Sequence, residues 1–209
     1  MPRNYQLRIG KIDKKKLILV EGADGLYFLI SLINSKNIKD IKIIDFGGID
    51  ELTKCIEAIK LIEGFDEVIS LIIFRDSEKS KDSASLKINH SLKSTGIITK
   101  DIRPFIIDKQ NNRKIGFGLF PGIGENGTLE DLCLRLFKEG TNNELIKTYL
   151  TDFQTKKGNF THLHKNELHA LFSFTDKYVG YKIGEAASFG GFDFDSPYLE
   201  PFFKLIYGM

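Results

Sequence analysis

The sequence is poor in cysteine, which cross-links many small secreted proteins, and it has no long apolar stretch. Only two of its 209 residues are cysteines, Cys55 and Cys133, and they form no CxxC pair. Such usage predicts buried thiols of a cytosolic protein rather than a disulfide framework. The longest apolar run, residues 26–33, is much shorter than the roughly 20 residues that a membrane span requires. We therefore expect a cytoplasmic protein that has no membrane partner.

An excess of charge of one sign is also missing. The chain has 30 Lys and Arg against 28 Asp and Glu, which gives a net charge of +2. This balance excludes a protein that coats nucleic acid through bulk charge, so any contact with phosphate must be local. Hydrophobic residues make up 42% of the chain. At this length they predict one full domain with a smaller elaboration rather than two independent domains.

The first half of the sequence alternates short apolar runs with segments of helical length. We predict buried strands at residues 17–20, 41–45 and 68–74, and helices at residues 27–34, 49–63 and 83–93. Uninterrupted apolar strands separated by helices are typical of a parallel sheet that is covered on both faces. Two further strands, at 104–108 and 114–120, are separated by a polar turn at 110–113, so the sheet is expected to be mixed.

The pattern changes after residue 140. Helices are predicted at 142–152, 165–175 and 199–207, and an aromatic, glycine-rich segment covers residues 190–197. The predicted fold class is therefore α/β, with a mostly parallel, Rossmann-like central sheet flanked by helices and a helical, aromatic C-terminal extension. The predicted division is an α/β domain at residues 1–140 and an extension at residues 141–209 that packs on it.

Acidic residues stand where the predicted strands and one helix end or begin. They form three pairs: Glu21 with Asp24, Asp76 with Glu78, and Glu130 with Asp131. Because the carboxyl ends of parallel strands meet at one edge of a sheet, we expect Glu21 and Asp76 to approach each other. Converging carboxylates are best satisfied by a hard divalent cation such as Mg²⁺.

Each of these acids also has a purely structural interpretation. Glu21, Asp76 and Glu78 fit solvated loop positions at strand ends. Asp131 stands three residues after Thr128, a spacing that predicts a capping partner rather than a metal ligand. The preceding loop, residues 122–127, fits GxGxxG, but Glu125 would repel a pyrophosphate at the following helix, so a dinucleotide site is not predicted.

The C-terminal half also contains candidate contacts for nucleic acid. Lys156, Lys157 and Lys165 lie in a basic, polar part of the chain. Lysine clusters of this kind bind phosphate in some proteins, although short basic runs are more often solvated.

Several motifs, taken in order, resemble a known family. They are Val20-Glu21-Gly22, Arg75-Asp76-Ser77-Glu78, and residues 127–132, 165–171 and 184–197. Together they resemble the Toprim domain of bacterial primases, type IA and type II topoisomerases and OLD-family nucleases. The closer resemblance is to small bacterial stand-alone proteins of the OLD-like Toprim type.

The resemblance implies roles for the acidic residues. Glu21 would act as a general acid or base or as a metal ligand, and Asp76 and Glu78 would hold Mg²⁺ or Mn²⁺. Asp24 and Glu130 would match further acids of OLD-like sites. Glu78 departs from the family pattern, in which an Asp stands at this position.

The function that follows from this resemblance is metal-dependent cleavage of phosphodiester bonds in DNA or RNA. A separately encoded ATPase would be a possible partner, since the chain has no GxxxxGK[ST] motif of its own. The alternative is a non-catalytic module that keeps the fold and binds a metal, a nucleotide or a protein partner. The sequence leaves the oligomeric state undetermined.

Overall fold

The computed structural model describes residues 10–138, 143–158 and 163–209. These residues form a five-stranded sheet with strand order β2-β1-β3-β5-β4. The strands are β1 (Lys16–Glu21), β2 (Ile41–Gly47), β3 (Ser70–Asp76), β4 (Asp108–Gln110) and β5 (Arg113–Phe120). All neighbouring strands are parallel except β4, which pairs antiparallel with β5 at one edge. The predicted α/β class with a mostly parallel sheet is thus confirmed.

Eight α-helices flank this sheet in the described part of the chain. They are α1 (Gly22–Ser35), α2 (Leu52–Lys60), α3 (Lys81–Ser94), α4 (Leu129–Leu136), α5 (Asn143–Lys157), α6 (Leu163–Ser173), α7 (Ile183–Ser188) and α8 (Glu200–Tyr207). None of the described helices is long and apolar enough to cross a membrane.

The sheet separates two hydrophobic cores, because successive strand residues point to opposite faces. In β1, Leu17 and Leu19 belong to one core, whereas Ile18 and Val20 belong to the other. Each of these side chains is fully buried, and burial of one such side chain contributes about 1.5–3 kcal/mol. Burial on both faces explains why the strand sequences are apolar without alternation.

The helices divide between these two faces. Helix α1, which links β1 to β2, packs in the core that contains Ile18. Helices α2 and α3 pack in the core on the opposite face, together with Leu17. Helices α4 to α8 join the core of α1, so the helical C-terminal region covers one face of the sheet. The predicted boundary at residue 140 lies outside the described residues.

The edge of the sheet differs from the prediction. A strand was expected at residues 104–108, but β4 covers only Asp108–Gln110. Pro104 has no amide hydrogen to donate, and Phe105 takes a left-handed conformation with φ of 59°, so neither continues a strand. Phe105 instead donates a backbone hydrogen bond to Phe117 O at 2.7 Å.

Candidate functional site

The candidate site lies at the point where the direction of winding of the sheet reverses. The chain runs from β1 to β2 on one side and then crosses back to β3 on the other side of β1. Helix α1 leaves β1 on one face, and helix α3 follows β3 on the opposite face. The crevice outside the strand ends at such a switch point is the usual ligand site of open α/β sheets. Glu21 and Asp76, the last residues of β1 and β3, flank it.

Asp76 is the most perturbed carboxyl group at this edge. Its pKa is raised to about 7, first by burial and then by the negative charges of Glu130 and Glu21. A hydrogen bond from the Leu129 amide to Asp76 Oδ1, 2.8 Å long, and the charge of Arg75 act in the opposite direction. The structure therefore brings Asp76, Glu130 and Glu21 into one electrostatic group.

Glu130 and Asp131 both lie in the first turn of α4, but only one of them belongs to this group. Asp131 Oδ2 accepts hydrogen bonds from Thr128 N at 2.7 Å and from Thr128 Oγ1 at 3.2 Å. The predicted capping role of Asp131 is thereby confirmed.

Asp24 approaches the same group from the first turn of α1. The pKa of the Cys133 thiol is raised, first by burial and then by the negative charges of Glu130, Asp24 and Asp76. Acids from three elements therefore act on the Cys133 thiol. Both thiols of the chain are buried, as the sequence predicted, and they form no disulfide.

Glu78 is placed differently from the other predicted acids. Its side chain is exposed, and its backbone is left-handed with φ of 50°. The Glu78 amide donates a 2.7 Å hydrogen bond to Gly127 O, while the buried Ser77 hydroxyl donates to Glu125 O and Gly127 O. This turn ends β3, so Glu78 does not continue the strand alternation that would place it on the face of Asp76.

Sequence reasoning missed the role of Arg75. Its side chain is 2% exposed, and its Nε atom lies 3.3 Å from Glu21 Oε2. Val20 pairs with Phe74 in the sheet, so the next residues along the two strands, Glu21 and Arg75, lie side by side. The signal in the sequence was an arginine inside an otherwise apolar strand.

The donor chemistry of this edge fits a divalent cation, although the full ligand set is not assembled. Carboxylate oxygens are the ligands that Mg²⁺ and Mn²⁺ prefer, and a cation would relieve the repulsion that raises the pKa of Asp76. Across residues 10–138, 143–158 and 163–209, however, no three His, Cys, Asp or Glu side chains already form a metal-binding group.

The predicted lysines lie on the two helices that follow α4. Lys156 on α5 and Lys165 on α6 are exposed. Lys157 is the last residue of α5, and its side chain lies outside the described part of the molecule. Next to Lys165, His164 Nδ1 lies 2.7 Å from Asp131 Oδ1, which connects α6 to the first turn of α4.

The fold and the site define an α/β protein with an acidic cluster at the switch point of a mostly parallel sheet. Residues 15–207 match the family described as "Protein of unknown function (DUF3226)", and the chain belongs to this family. Comparison with curated proteins and with solved structures found no match.

Proposed function

We propose that this protein is a Mg²⁺- or Mn²⁺-dependent phosphodiesterase of the Toprim type, a nuclease that acts on DNA or RNA in the cytoplasm. The observation that carries the proposal is the pKa of Asp76, which burial and two neighbouring carboxylates raise to about 7. Strong perturbation by burial and by specific like charges is typical of functional sites rather than of surface acids. Its position at the topological switch point gives independent support.

In this proposal the acids at the sheet edge have distinct roles. Asp76 and Glu130 would hold the cation, and Glu21 would act as a ligand or as a general acid or base. Asp24, in the first turn of α1, and Glu78, at the exposed turn after Asp76, would be further ligands. When bound, the cation would polarise the phosphate and stabilise the negative charge that develops on its oxygens.

The proposed polymer substrate would be contacted outside this edge. Lys156 and Lys165 are exposed on α5 and α6, and together with Lys157 they would contact phosphates of the nucleic acid. A separate ATPase partner is part of the proposal, because the resemblance to OLD-like proteins implies one and this sequence has no P-loop motif.

Two observations favour a second candidate, a non-catalytic module. Arg75 already places a positive charge 3.3 Å from Glu21, and Glu78 is exposed to solvent. If this arrangement persists with a cation present, the acids would bind the ion or a partner without cleaving phosphodiester bonds.

A cleavage assay distinguishes the two candidates. Purified protein is incubated with plasmid, linear duplex, single-stranded DNA and RNA in Mg²⁺, Mn²⁺ or EDTA. We expect cation-dependent cleavage that falls about 100-fold or more in Asp76→Asn and Glu130→Gln. Asp176→Asn, at an exposed position, is the matched control and should retain full activity.

The same variants are examined for cation binding by calorimetry. Wild-type protein that binds Mn²⁺ through Asp76 but leaves every substrate intact would be the non-catalytic module. Wild-type protein that neither cleaves nor binds a divalent cation would contradict both candidates.

A further inference from the structure

An exposed tyrosine stands one helical turn from the acids at the strand ends. Tyr27 and Asp24 are three residues apart on α1, so they are neighbours on the helix surface, with Cβ atoms about 5–6 Å apart. Asp24 acts on the Cys133 thiol together with Asp76 and Glu130. The side chain of Tyr27 therefore starts at the border of the proposed cation site.

Tyr27 is held at its base and open at its ring. A Cβ atom added at Gly184 of α7 would lie 3.1 Å from Tyr27 Cγ and 3.3 Å from Tyr27 Cδ2, so the base of the ring lies directly on the backbone of α7. The residue is nevertheless 54% exposed. Packing at the base restricts the side-chain rotamers, so less conformational entropy is lost when a ligand covers the ring.

Other exposed aromatic rings already pack against a ring or a cation of the fold: Phe189 on Tyr181, Tyr198 on Arg135, and Tyr207 on Phe203. Within the part of the chain that the structure describes, no ring stacks on Tyr27 and no cation lies over it. One exposed aromatic residue by itself needs no explanation. The position of Tyr27 beside the acids is what distinguishes it.

Helix α7 adds a positive charge near this ring. Lys182 is exposed, and it precedes Gly184, the contact of Tyr27, by two residues. A nucleotide presents a flat base and a negatively charged phosphate. An open aromatic ring and a neighbouring lysine match these two parts, as in surfaces that bind single-stranded nucleic acid.

An aromatic ring can stack only on a base whose face is accessible. In a duplex, the faces of each base are covered by its neighbours in the stack. Unpaired bases can turn outward and stack on aromatic side chains. A ring at this position therefore favours a single strand over a duplex.

We propose that Tyr27 stacks on an unpaired base next to the phosphate at the cation site, and that the substrate is single-stranded nucleic acid. This inference rests on the proposed function, because it names the form of nucleic acid that the same site binds. The acids and their cation would hold one phosphate, and Lys182 would contact a neighbouring one. Tyr27 takes no part in bond cleavage and determines specificity.

Binding to a labelled DNA oligonucleotide, single-stranded or in a duplex, tests the proposal. Fluorescence anisotropy measures both affinities in Ca²⁺, which also binds carboxylate oxygens. Tyr27→Ala should weaken binding of the single strand by about 5- to 150-fold, the usual contribution of stacking one base. Binding of the duplex should change little. Tyr27→Phe keeps the ring and should retain the affinity for the single strand.

Tyr207→Ala is the matched control, and it should bind both forms as wild type does. Tyr207 is 62% exposed on α8, and the next residue, Gly208, accepts a hydrogen bond from Lys114 Nζ at 2.9 Å. Lys114 is paired with Ser70, the first residue of β3. Tyr207 therefore lies toward the sheet edge opposite to the acids.

A second readout reports stacking directly and does not depend on cleavage. The sequence contains no tryptophan, so Tyr27→Trp introduces a single indole at the proposed contact. The single strand should quench its fluorescence, and the duplex should not. Emission that changes with protein concentration but not with DNA would mean that a second copy of the chain covers this ring, which would overturn the inference.

The outcomes separate this inference from the proposed function. Active wild-type protein with an unaffected Tyr27→Ala variant, or with an equal loss of affinity for both forms, would overturn the role of Tyr27 alone. A preference for single strands that depends on Tyr27 but occurs without cleavage would support the stacking role and contradict the phosphodiesterase. Wild-type protein that neither binds nor cleaves either form would overturn both.

Discussion

The carboxylate of Asp76 accepts a hydrogen bond from the amide of Leu129 at 2.8 Å, which connects the end of β3 to the first turn of α4. A helix N-terminus normally stabilises a carboxylate through its partial positive charge. The pKa of Asp76 is nevertheless raised to about 7. Burial and the charges of Glu130 and Glu21 therefore raise the pKa of Asp76 by more than the hydrogen bond at the helix N-terminus lowers it.

Asp76→Asn should become more stable relative to wild type as the pH rises. The ordinary pKa of this carboxyl is 3.8, and the folded-state value is about 7. Between these values the folded protein keeps a proton that the unfolded chain has released, so the wild-type free energy of unfolding falls as pH increases. From pH 4 to pH 8, the difference between the variant and wild type should grow by up to about 4 kcal/mol, at about 1.36 kcal/mol per pKa unit.

Urea denaturation in EDTA, followed by circular dichroism, measures this change. Asp176→Asn replaces an exposed carboxylate and should show no such trend. A constant stability difference between Asp76→Asn and wild type over this pH range would mean that Asp76 is not perturbed in the folded protein.

Glu130→Gln should lower the pKa of Asp76, because the variant removes the larger of the two like charges that raise it. Carbon-13 NMR titration of the aspartate carboxyl groups gives this value directly. Glu185→Gln, an exposed glutamate of α7, serves as the control. If the pKa of Asp76 were unchanged in Glu130→Gln, the charge of Glu130 would not act on Asp76, and Glu130 would not belong to the proposed site.

Arg75→Met should destabilise the protein far more than Arg135→Met. The Arg75–Glu21 pair is largely buried, with side-chain exposures of 2% and 18%, so removal of the guanidinium breaks a buried ion pair, at a cost of about 3 kcal/mol. The bidentate Arg135–Glu125 pair is more exposed, and its loss should cost about 0.2–1 kcal/mol. Urea denaturation at pH 7 measures the free energy of unfolding of each variant. Equal losses in the two variants would contradict the prediction that the buried ion pair contributes more than the exposed one.

Gly184→Ala should destabilise the contact between α1 and α7. A Cβ atom at position 184 would lie 2.4 Å from Tyr27 Cβ, so the two helices would have to separate, at a cost of about 1–3 kcal/mol. Gly48→Ala is the matched control, because a Cβ there meets nothing within 4 Å. The melting temperatures of the two variants should differ clearly, and a Gly184→Ala variant as stable as Gly48→Ala would contradict the close packing.

Helix α4 shows what local sequence patterns can and cannot predict. The Thr128–Asp131 spacing predicts a capping box, and the structure contains it. The pairing of Asp131 with His164 follows no local rule, since α6 approaches α4 only through core packing. The structural role of Asp131 was therefore predictable, but its second contact was not.

Among the strands, too, some features were predictable from the sequence and others were not. Apolar runs determined the three central strands, because side chains buried on both faces leave no polar alternation. The predicted strand at residues 104–108 was wrong, since Pro104 and the left-handed Phe105 interrupt extended structure. Short edge strands carry weaker apolar patterns, and turns next to them decide where they begin.

The sequence by itself determined the α/β class and the placement of acids at strand ends, because both follow from local periodicity and from the geometry of parallel strands. Only the tertiary structure decided which charges meet. Register placed Arg75 beside Glu21, and packing of α4 placed Leu129 and Glu130 beside Asp76. Electrostatic coupling depends on distances across elements and on burial, and neither is encoded in the spacing of residues along the chain.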